Sequence, residues 1–233
     1  MKKGLELAGA LLVIAILLTL TLRKINRLME PTMNPITAQR TSTLILDAGH
    51  GGEDGGAVSL TGVSESKINL AIVLKLRDVL GFYGVDPVLL RESDVSLHDK
   101  DANTLREKKR SDLKNRVKAI EGIEEGVLLS IHQNTYTSSR YHGSHVFFAP
   151  TDGSQDLAEH FQNSIKATLQ PDNKRTVKQI PNTVYIMNHV SCPAVLIECG
   201  FLTNSEEESL LREEKYQQKL AAVIAGAWMT IPK

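Results

Sequence analysis

The sequence is poor in aromatic residues and has no excess of charge of either sign. Phe, Trp and Tyr make up only 5% of its 233 residues, and 27 basic residues balance 27 acidic ones. Proteins that bind nucleic acid usually present a basic surface, often with aromatic side chains on which bases stack. The composition therefore predicts no nucleic-acid partner.

Cysteine is almost absent, since the chain has only Cys192 and Cys199. Two cysteines seven positions apart form neither a disulfide framework nor a C-x-x-C metal or redox motif. Cys199 lies in an apolar pattern and is expected to be a small buried side chain. A disulfide between the two thiols in an oxidising compartment remains an open alternative.

Long apolar runs are confined to the N-terminus. From Leu7 to Leu22 the only polar residues are two threonines, and lysines or arginines flank both ends. A helix of about 20 apolar residues spans a bilayer, and roughly 17 is the lower end. We therefore predict that residues 1–24 are a membrane anchor. No A-x-A-like cleavage site follows, which favours an uncleaved anchor over a secretory signal, and the body is then expected outside the cytoplasm.

The rest of the sequence divides into a linker and one domain. Residues 25–42 contain Pro31 and Pro35 and show little periodicity, which is typical of a linker. In residues 43–233 short apolar runs alternate with helical patterns, and this alternation predicts parallel strands joined by helical crossovers. The expected fold class is α/β, with a mostly parallel central sheet flanked by helices.

The element boundaries follow from periodicity and capping residues. Strands are predicted at Thr43–Leu46, Val85–Leu90, Val127–Ile131, His145–Phe148 and Ala194–Cys199, with a short extended piece at Val184–Met187. Helices are predicted at Ser64–Leu80, Asp112–Ile120, Ser154–Leu169 and Glu213–Met229, with Ser64 and Ser154 as N-caps. The segment Glu92–Asp112 is too charged for a core element and is predicted to be a solvated loop. Loops of this length are often functional.

Four residues that could bind or act on a ligand lie at strand or helix ends. His50 follows the first strand in a glycine-rich loop, and His132 follows the strand Val127–Ile131. Glu198 lies near the end of the strand Ala194–Cys199, and Glu65 opens a helix. In α/β sheets ligands collect at the carboxyl ends of the strands, so these side chains are expected to meet. Two imidazoles and a carboxylate are the ligand set of an open catalytic zinc, and a spare glutamate could act as general base.

Several other polar residues are expected to be structural. Asp47 and Asp54 are candidates either to orient an imidazole or to cap the first loop. Asn134 is a candidate for binding substrate or for forming a turn, and Glu206, Glu207 and Glu208 are expected in the first turn of a helix. The remaining histidines are predicted to have no ligand role: His98, His142, His145, His160 and His189.

Four blocks of the sequence resemble a known family. They are Leu46–Gly52 with Asp54 and Gly55, Glu65 with Asn69, Leu70 and Ala71, Leu129–Asn134, and Pro193–Phe201 with Asn204. From Thr43 onward the chain is similar to zinc-dependent N-acetylmuramoyl-L-alanine amidases of the amidase-3 type. The resemblance implies that His50, Glu65 and His132 bind Zn²⁺ and that Glu198 is the catalytic glutamate. The bond cleaved would join the lactyl group of muramic acid to L-alanine of the stem peptide.

A narrower resemblance is to the germination-specific amidases of the spore cortex. It is based on the charged stretch Asp99–Asp112 and the short N-terminal anchor, and it implies a role in forming the muramic lactam. The expected partners are peptidoglycan, the membrane through residues 1–24, and an activating protein that could dock on the charged stretch. The expected location is extracytoplasmic, in the space around the forespore. The alternatives are a tethered peptidoglycan-binding protein without turnover and a metal hydrolase of another wall amide.

Overall fold

A six-stranded sheet runs through residues 42–231, the part of the chain that this computed structural model describes. The strands are β1 (Thr43–Ala48), β2 (Val88–Leu89), β3 (Gly126–Asn134), β4 (His145–Phe148), β5 (Lys178–Gln179) and β6 (Ala194–Phe201). The helices are α1 (Glu65–Phe82), α2 (Leu105–Glu121), α3 (Ser154–Thr168), α4 (Ser205–Arg212) and α5 (Glu214–Met229), with a 3-10 turn at Ile186–Asn188. The predicted anchor, 1–24, and nearly all of the predicted linker, 25–42, lie outside the described residues. Within 42–231 no helix has both the length and the hydropathy needed to cross a membrane.

The strands lie in the order β2, β1, β3, β6, β4, β5. Neighbours from β2 to β6 are parallel, whereas β4 runs antiparallel to β6 and parallel to β5. The predicted class, α/β with a mostly parallel sheet flanked by helices, is confirmed, and β4 makes the sheet mixed. Because β1, β3 and β6 are parallel, their carboxyl ends share one edge of the sheet. That edge carries His50, His132 and Glu198.

An apolar cluster packs against each face of the sheet. Alternate residues of a strand point to opposite faces. In β1, Leu46 therefore packs with residues of α1, α3 and α5, and Ile45 with residues of α2 and the 3-10 turn. On the second face of β3 the side chains change from Leu128 to Ser130 to His132 toward the carboxyl end. The polar site thus begins where that apolar core ends.

Helix α2 is longer than predicted. Its predicted start was Asp112, and Glu92–Asp112 was expected to be a loop, but the helix begins at Leu105. The Thr104 hydroxyl accepts a hydrogen bond from the Glu107 amide at 3.2 Å, and the Glu107 carboxylate accepts one from the Thr104 amide at 3.0 Å. This capping box satisfies amides at a helix start that the apolar periodicity does not mark. The loop prediction is therefore wrong for the second part of that segment.

Smaller predictions are corrected as well. The extended piece predicted at Val184–Met187 is instead part of the loop and 3-10 turn before β6. Val85–Leu90 pairs with the sheet only at the two residues of β2. Cys192 and Cys199 are both free thiols, so the alternative disulfide is not formed.

The helix starts differ in how they are capped. Ser64 is the N-cap residue of α1 as predicted, although its side chain forms no capping hydrogen bond. The N-cap of α3 is Gly153, at φ 77°, and not Ser154. Ser154 is the first residue of that helix, and its hydroxyl accepts a hydrogen bond from the Ala194 amide at 2.9 Å. The Ser154 side chain therefore connects α3 to β6.

Candidate metal centre

His50 lies in the loop after β1, in a backbone conformation that few residues other than glycine adopt. Its φ is 63°, and the two following glycines, Gly51 and Gly52, also have positive φ. A non-glycine residue in the left-handed region costs about 1–3 kcal/mol, a cost that surrounding contacts must offset. The tight turn lets the chain double back, so that the His50 imidazole reaches Glu65 at the start of α1.

The three predicted metal ligands meet at the edge of the sheet. Nε2 of His50 lies 3.4 Å from Oε2 of Glu65, and Nδ1 of His132 lies 2.9 Å from Oε1 of the same carboxylate. One ligand atom from each residue lies within 4.8 Å of the others. The two imidazole rings meet edge to face, with their centroids 5.1 Å apart. The structure thus places two imidazole nitrogens and a carboxylate around one point.

Two positions near these side chains are glycines, and the side chains fill the space that a β-carbon would need there. A β-carbon at Gly49 would lie 2.1 Å from Nε2 of His132. One at Gly56 would lie 2.6 Å from Oε2 of Glu65 and 2.7 Å from Cδ2 of His50. Contacts this short are impossible for a real side chain, so both positions require glycine while the three ligands keep their places.

Asp54 orients the His50 ring. Its Oδ2 lies 3.0 Å from Nδ1 of His50, and Lys109 of α2 lies 3.2 Å from the same oxygen. The hydrogen bond with His50 is the main reason that the pKa of Asp54 lies well below its usual range. An ionised carboxylate on one ring nitrogen keeps the proton there and leaves the other nitrogen, Nε2, free to bind a metal. The expectation that an aspartate orients an imidazole is confirmed for Asp54.

Glu65 is fixed by several donors. Its carboxylate accepts hydrogen bonds from the Ala57 amide at 3.0 Å, the Gln133 amide at 3.1 Å and the Asn69 side chain at 3.3 Å. Burial alone would raise the pKa of Glu65, but the hydrogen bond with His132 and the charges of both imidazoles outweigh burial and lower it to about 2. Glu65 is therefore an ionised, oriented carboxylate at neutral pH.

Two buried arginines hold the backbone of the His50 loop. Arg91 donates to the carbonyl oxygens of Ala48 at 2.8 Å and Gly49 at 3.1 Å. Arg116 of α2 donates to the carbonyl oxygens of Ala48 at 3.1 Å and His50 at 2.7 Å. These bonds are between distant parts of the sequence, and sequence reasoning identified neither arginine as part of the site.

Asp47 was the second aspartate considered as a candidate to orient an imidazole. In residues 42–231 its carboxylate forms no hydrogen bond with a histidine. Its carboxylate is fully buried, pairs with Arg116 and accepts a hydrogen bond from the Ser130 hydroxyl at 2.6 Å. Burial would raise the pKa of Asp47, but the Arg116 charge and the Ser130 bond lower it. Asp47 therefore supports the loop indirectly, because it neutralises the arginine that holds the loop.

Glu198 lies beside His132 on the adjacent strand. The two residues are paired in the register of β3 and β6, so their side chains leave the same face of the sheet. Oε2 of Glu198 is buried and has no hydrogen-bond partner among the described residues. Burial raises the pKa of Glu198 to about 7; the charge of Glu65 adds to this rise, and His132 opposes it. A buried carboxylate oxygen that lacks a partner in the described part of the chain is costly for the fold, which indicates that Glu198 has a role in chemistry.

Among the other polar residues, Glu206, Glu207 and Glu208 lie in the first turn of α4 as predicted. Asn134 is the last residue of β3, so the prediction that it forms a turn is wrong, and a role in binding substrate stays a prediction. Outside the group described above, no three metal-binding side chains of residues 42–231 cluster. The five remaining histidines each bond to a nearby oxygen: His98 to Ser96, His142 to Arg140, His145 to Thr176, His160 to Ala227 and His189 to Tyr185.

Comparison with known proteins identifies the family. Residues 44–228 match the family model described as N-acetylmuramoyl-L-alanine amidase. The chain belongs to this family. It is a peptidoglycan amidase, and the resemblance of the four sequence blocks is confirmed.

Relatives of the amidase agree with this assignment. The germination-specific N-acetylmuramoyl-L-alanine amidase of Bacillus subtilis (strain 168) is 35% identical over 182 residues, which are 78% of this chain and 76% of the relative. The CwlD amidase from Clostridioides difficile, solved in complex with the GerS lipoprotein, is 40% identical, with a TM-score of 0.74 over 79% of this chain and 95% of that chain. An N-acetylmuramoyl-L-alanine amidase from Clostridium difficile 630 is 30% identical, with a TM-score of 0.70 over 81% of this chain and 95% of that chain.

The His50, Glu65 and His132 side chains of the amidase fit a divalent metal ion. Nδ1 of His132 and Nε2 of His50 both face the Glu65 carboxylate, and Asp54 fixes the tautomer of His50. Three protein ligands would leave a position for water or substrate, as in catalytic zinc sites. The unpartnered oxygen of Glu198 on the neighbouring strand gives the site a carboxylate that need not bind the metal.

Proposed function

We propose that this amidase is a zinc enzyme that hydrolyses the amide between the lactyl group of N-acetylmuramic acid and L-alanine of the peptidoglycan stem peptide. In this proposal His50, Glu65 and His132 hold the zinc ion, and Glu198 transfers the proton. The main support is the Oε2 atom of Glu198, which is buried and has no hydrogen-bond partner among residues 42–231, on the strand next to a group of two imidazoles and one carboxylate.

The metal ligands and Glu198 have different roles in the proposed hydrolysis. A bound zinc ion supplies a Lewis acid that polarises the scissile carbonyl and lowers the pKa of water toward about 7. Glu198 accepts a proton from the attacking water as the new C–O bond forms. The C–N bond then breaks, and Glu198 delivers that proton to the departing nitrogen, which is a poor leaving group until it is protonated. The second proton of the water stays with the products, which are a muramic acid with a free carboxyl group and a stem peptide with a free L-alanine amine.

The environment of Glu198 suits both proton transfers. A group that takes and then returns a proton works best when its pKa is near the operating pH. Burial raises the pKa of Glu198 to about 7, as described above. A peptidoglycan-binding protein without turnover has no need of such a carboxylate, and Glu198 therefore favours the enzyme over that alternative.

Product analysis tests the proposal. The full chain is incubated with zinc and a defined muramyl pentapeptide, and the products are identified by mass. We expect the intact stem peptide with a free N-terminal L-alanine, no reaction after chelation, and recovery when zinc is restored. A cut inside the stem peptide, or loss of an acetyl group, would indicate a metal hydrolase of another wall amide. Binding of the muropeptide without any cleavage would indicate the non-catalytic alternative.

We further propose that the amidase acts outside the cytoplasm on the spore cortex, where removal of stem peptides precedes formation of the muramic lactam. The 35% identity to a germination-specific amidase supports this role. The 40% identical CwlD amidase was solved with a lipoprotein, which supports an activating protein partner for this chain too. Anchoring through residues 1–24 is part of the same proposal. Deleting the gene should remove muramic lactam from the cortex, and cortex with normal lactam content would contradict the assignment.

A further inference from the structure

The loop between β3 and β4, residues 135–144, begins three residues after His132. It is held by three hydrogen bonds to the carboxyl end of β6 and to the start of α4. They join the Tyr136 amide to Thr203 Oγ1 at 3.1 Å, Asn204 Nδ2 to the Ser139 carbonyl at 2.9 Å, and the Gly143 amide to Glu207 Oε1 at 2.8 Å. The loop is therefore fixed relative to the catalytic edge of the sheet.

Two tyrosine rings of this loop pack near the Phe201 ring and the guanidinium group of Arg175. Tyr136 and Tyr141 are 52% and 43% exposed, and their ring centroids are 4.4 Å apart. The guanidinium carbon of Arg175 lies 4.7 Å from the ring centroid of Phe201 and 5.8 Å from that of Tyr141. Nε of Arg175 donates to the His142 carbonyl at 3.0 Å. The ring contacts and this bond restrict the guanidinium group to the space beside Phe201 and Tyr141.

The outer edge of that guanidinium group is free to bind a ligand. Among residues 42–231, Nη1 and Nη2 of Arg175 have no hydrogen-bond partner, and Arg175 forms no salt bridge. The nearby carboxylate of Glu207 is already occupied, because it accepts hydrogen bonds from the amides of Gly143 and Phe201, both at 2.8 Å. A planar, oriented guanidinium group with two free nitrogens matches the geometry of a carboxylate.

The position of Arg175 relative to Glu198 suits the stem peptide. Phe201, against which Arg175 packs, pairs with Asn134 of β3, whereas Glu198 pairs with His132. Phe201 therefore lies two strand positions beyond Glu198, which is about 7 Å along the sheet. The scissile nitrogen belongs to L-alanine, and the next residue is D-glutamate linked through its side-chain carboxyl group. Its α-carboxylate therefore branches from the stem roughly 7 Å beyond the scissile bond, at the spacing of an extended chain.

We propose that Arg175, with the Tyr141 ring beside it, forms a subsite for the free α-carboxylate of the second stem-peptide residue. The amidase then selects stem peptides in which this carboxylate is free over those in which it is amidated. This inference rests on the proposed function, because it places the leaving peptide along the carboxyl end of β6.

Two muropeptides that differ only in this group, free acid or amide, test the subsite. The ratio of kcat/KM for the acid to kcat/KM for the amide is measured with zinc-loaded full-length protein. We expect the wild type to favour the acid roughly ten- to a hundredfold, the usual size of a charged hydrogen bond. Arg175→Gln should bring the ratio close to one. Arg175→Lys should keep only part of the preference for the acid, because lysine has the positive charge but not the planar pair of N–H donors. Lys174→Gln removes an adjacent exposed charge and should keep the wild-type ratio.

The outcomes separate this inference from the proposed function. Cleavage of both muropeptides by the wild type at equal rates would overturn the subsite alone, and so would a full preference in folded Arg175→Gln. If Arg175→Gln does not fold, as judged by thermal unfolding, the Arg175→Lys variant and the wild-type ratio decide the matter. Cleavage of neither muropeptide would overturn the proposed function and the subsite together.

Discussion

A β-carbon at Gly49 would lie 2.1 Å from Nε2 of His132, which makes Gly49→Ala a direct test of the ligand geometry. The methyl group must displace the imidazole from Glu65, and overpacking of this kind costs about 1–3 kcal/mol. We expect zinc affinity to fall by at least about tenfold, the usual cost when a ligand loses its orientation. Zinc titration and thermal unfolding measure the two effects.

Gly81→Ala is the matched control for that substitution. Gly81 lies in α1, and apart from its chain neighbours and the backbone of its own helix no atom of residues 42–231 lies within 4 Å of the position a β-carbon would take. Alanine in a helix should raise the free energy of unfolding by about 0.5–1 kcal/mol and leave zinc binding unchanged. Equal zinc affinities in the two variants would show that His132 does not need the space at Gly49.

Asp54→Asn tests how the His50 ring is oriented. The neutral amide keeps the size of the side chain but weakens the 3.0 Å hydrogen bond with Nδ1 of His50. We expect zinc affinity to fall by about 10–100-fold, as for other groups that hold a metal-binding histidine. Asp86→Asn, at an exposed position without side-chain contacts, should have no effect. An unchanged affinity in Asp54→Asn would mean that backbone geometry alone orients the ring.

Residue types at element ends were enough to predict the four central side chains, but not the atoms that position them. His50 and Glu65 lie at a strand end and a helix start as predicted. The prediction that His132 follows its strand is wrong, because β3 continues to Asn134, and β6 likewise continues past Glu198 to Phe201. The sequence predicted no role for Asn69 or Gln133 beyond their place in blocks that resemble the family. Their bonds to each other and to Glu65 depend on tertiary structure. A contact between two residues that are far apart in the chain produces no periodic pattern in a single sequence.

A buried ion pair joins α2 to β1 through Arg116 and Asp47, and Arg116 also pairs with Asp112 of its own helix at 2.8 Å. Replacing Arg116 by Met leaves both carboxylates without this charge partner, and breaking a buried pair costs about 3–5 kcal/mol. The variant also loses the bonds to the Ala48 and His50 carbonyls, so zinc affinity should fall as well. Lys114→Met, on an exposed position of α2, is the control and should change stability little. Denaturant unfolding measures the difference, and a loss below about 1 kcal/mol in Arg116→Met would contradict the account.

The same variant should respond to pH in a defined direction. In the wild type the pKa of Asp47 is lowered in the folded state, so its contribution to stability is present above the unfolded pKa and is lost as pH falls through the folded pKa. Without Arg116, burial should raise the pKa of Asp47, and protonation at low pH then relieves the unpaired charge. The stability gap between wild type and Arg116→Met should therefore narrow from about pH 7 to about pH 4. A constant gap would show that the charge of Asp47 is not the cause.

Element boundaries were predictable where periodicity was strong and not where capping decided them. The buried stripe of α1, with Ile68, Ile72 and Leu76, marked that helix clearly. The start of α2 depends on Thr104 and Glu107 in a charged segment, and only the T-x-x-E spacing of a capping box could have marked it. The first turns of α2 also bring Lys108 and Lys109 to Glu53 and Asp54, so the charged segment borders the metal centre.

On the scale of the whole molecule, the order of strands explains why four distant sequence blocks form one site. The parallel pairing of β1, β3 and β6 puts three of the blocks at one edge, and α1 brings Glu65 from the fourth. The alternation of strands and helices predicted this arrangement. Strand β4 was predicted at His145–Phe148, and the structure confirms it. Its antiparallel direction was not predicted, because a short apolar run carries no information on its direction.

The central claim is that Glu198 transfers the proton at a zinc ion held by the other three residues, and Glu198→Gln tests it most directly. The measurement is zinc content together with release of stem peptide from a defined muropeptide, for this variant and for Glu124→Gln at an exposed position. The account predicts that Glu198→Gln keeps its zinc and loses roughly 10²–10⁴-fold in rate, as expected when a general acid-base group is removed, while Glu124→Gln keeps the wild-type rate. Wild-type turnover in zinc-loaded Glu198→Gln would contradict it.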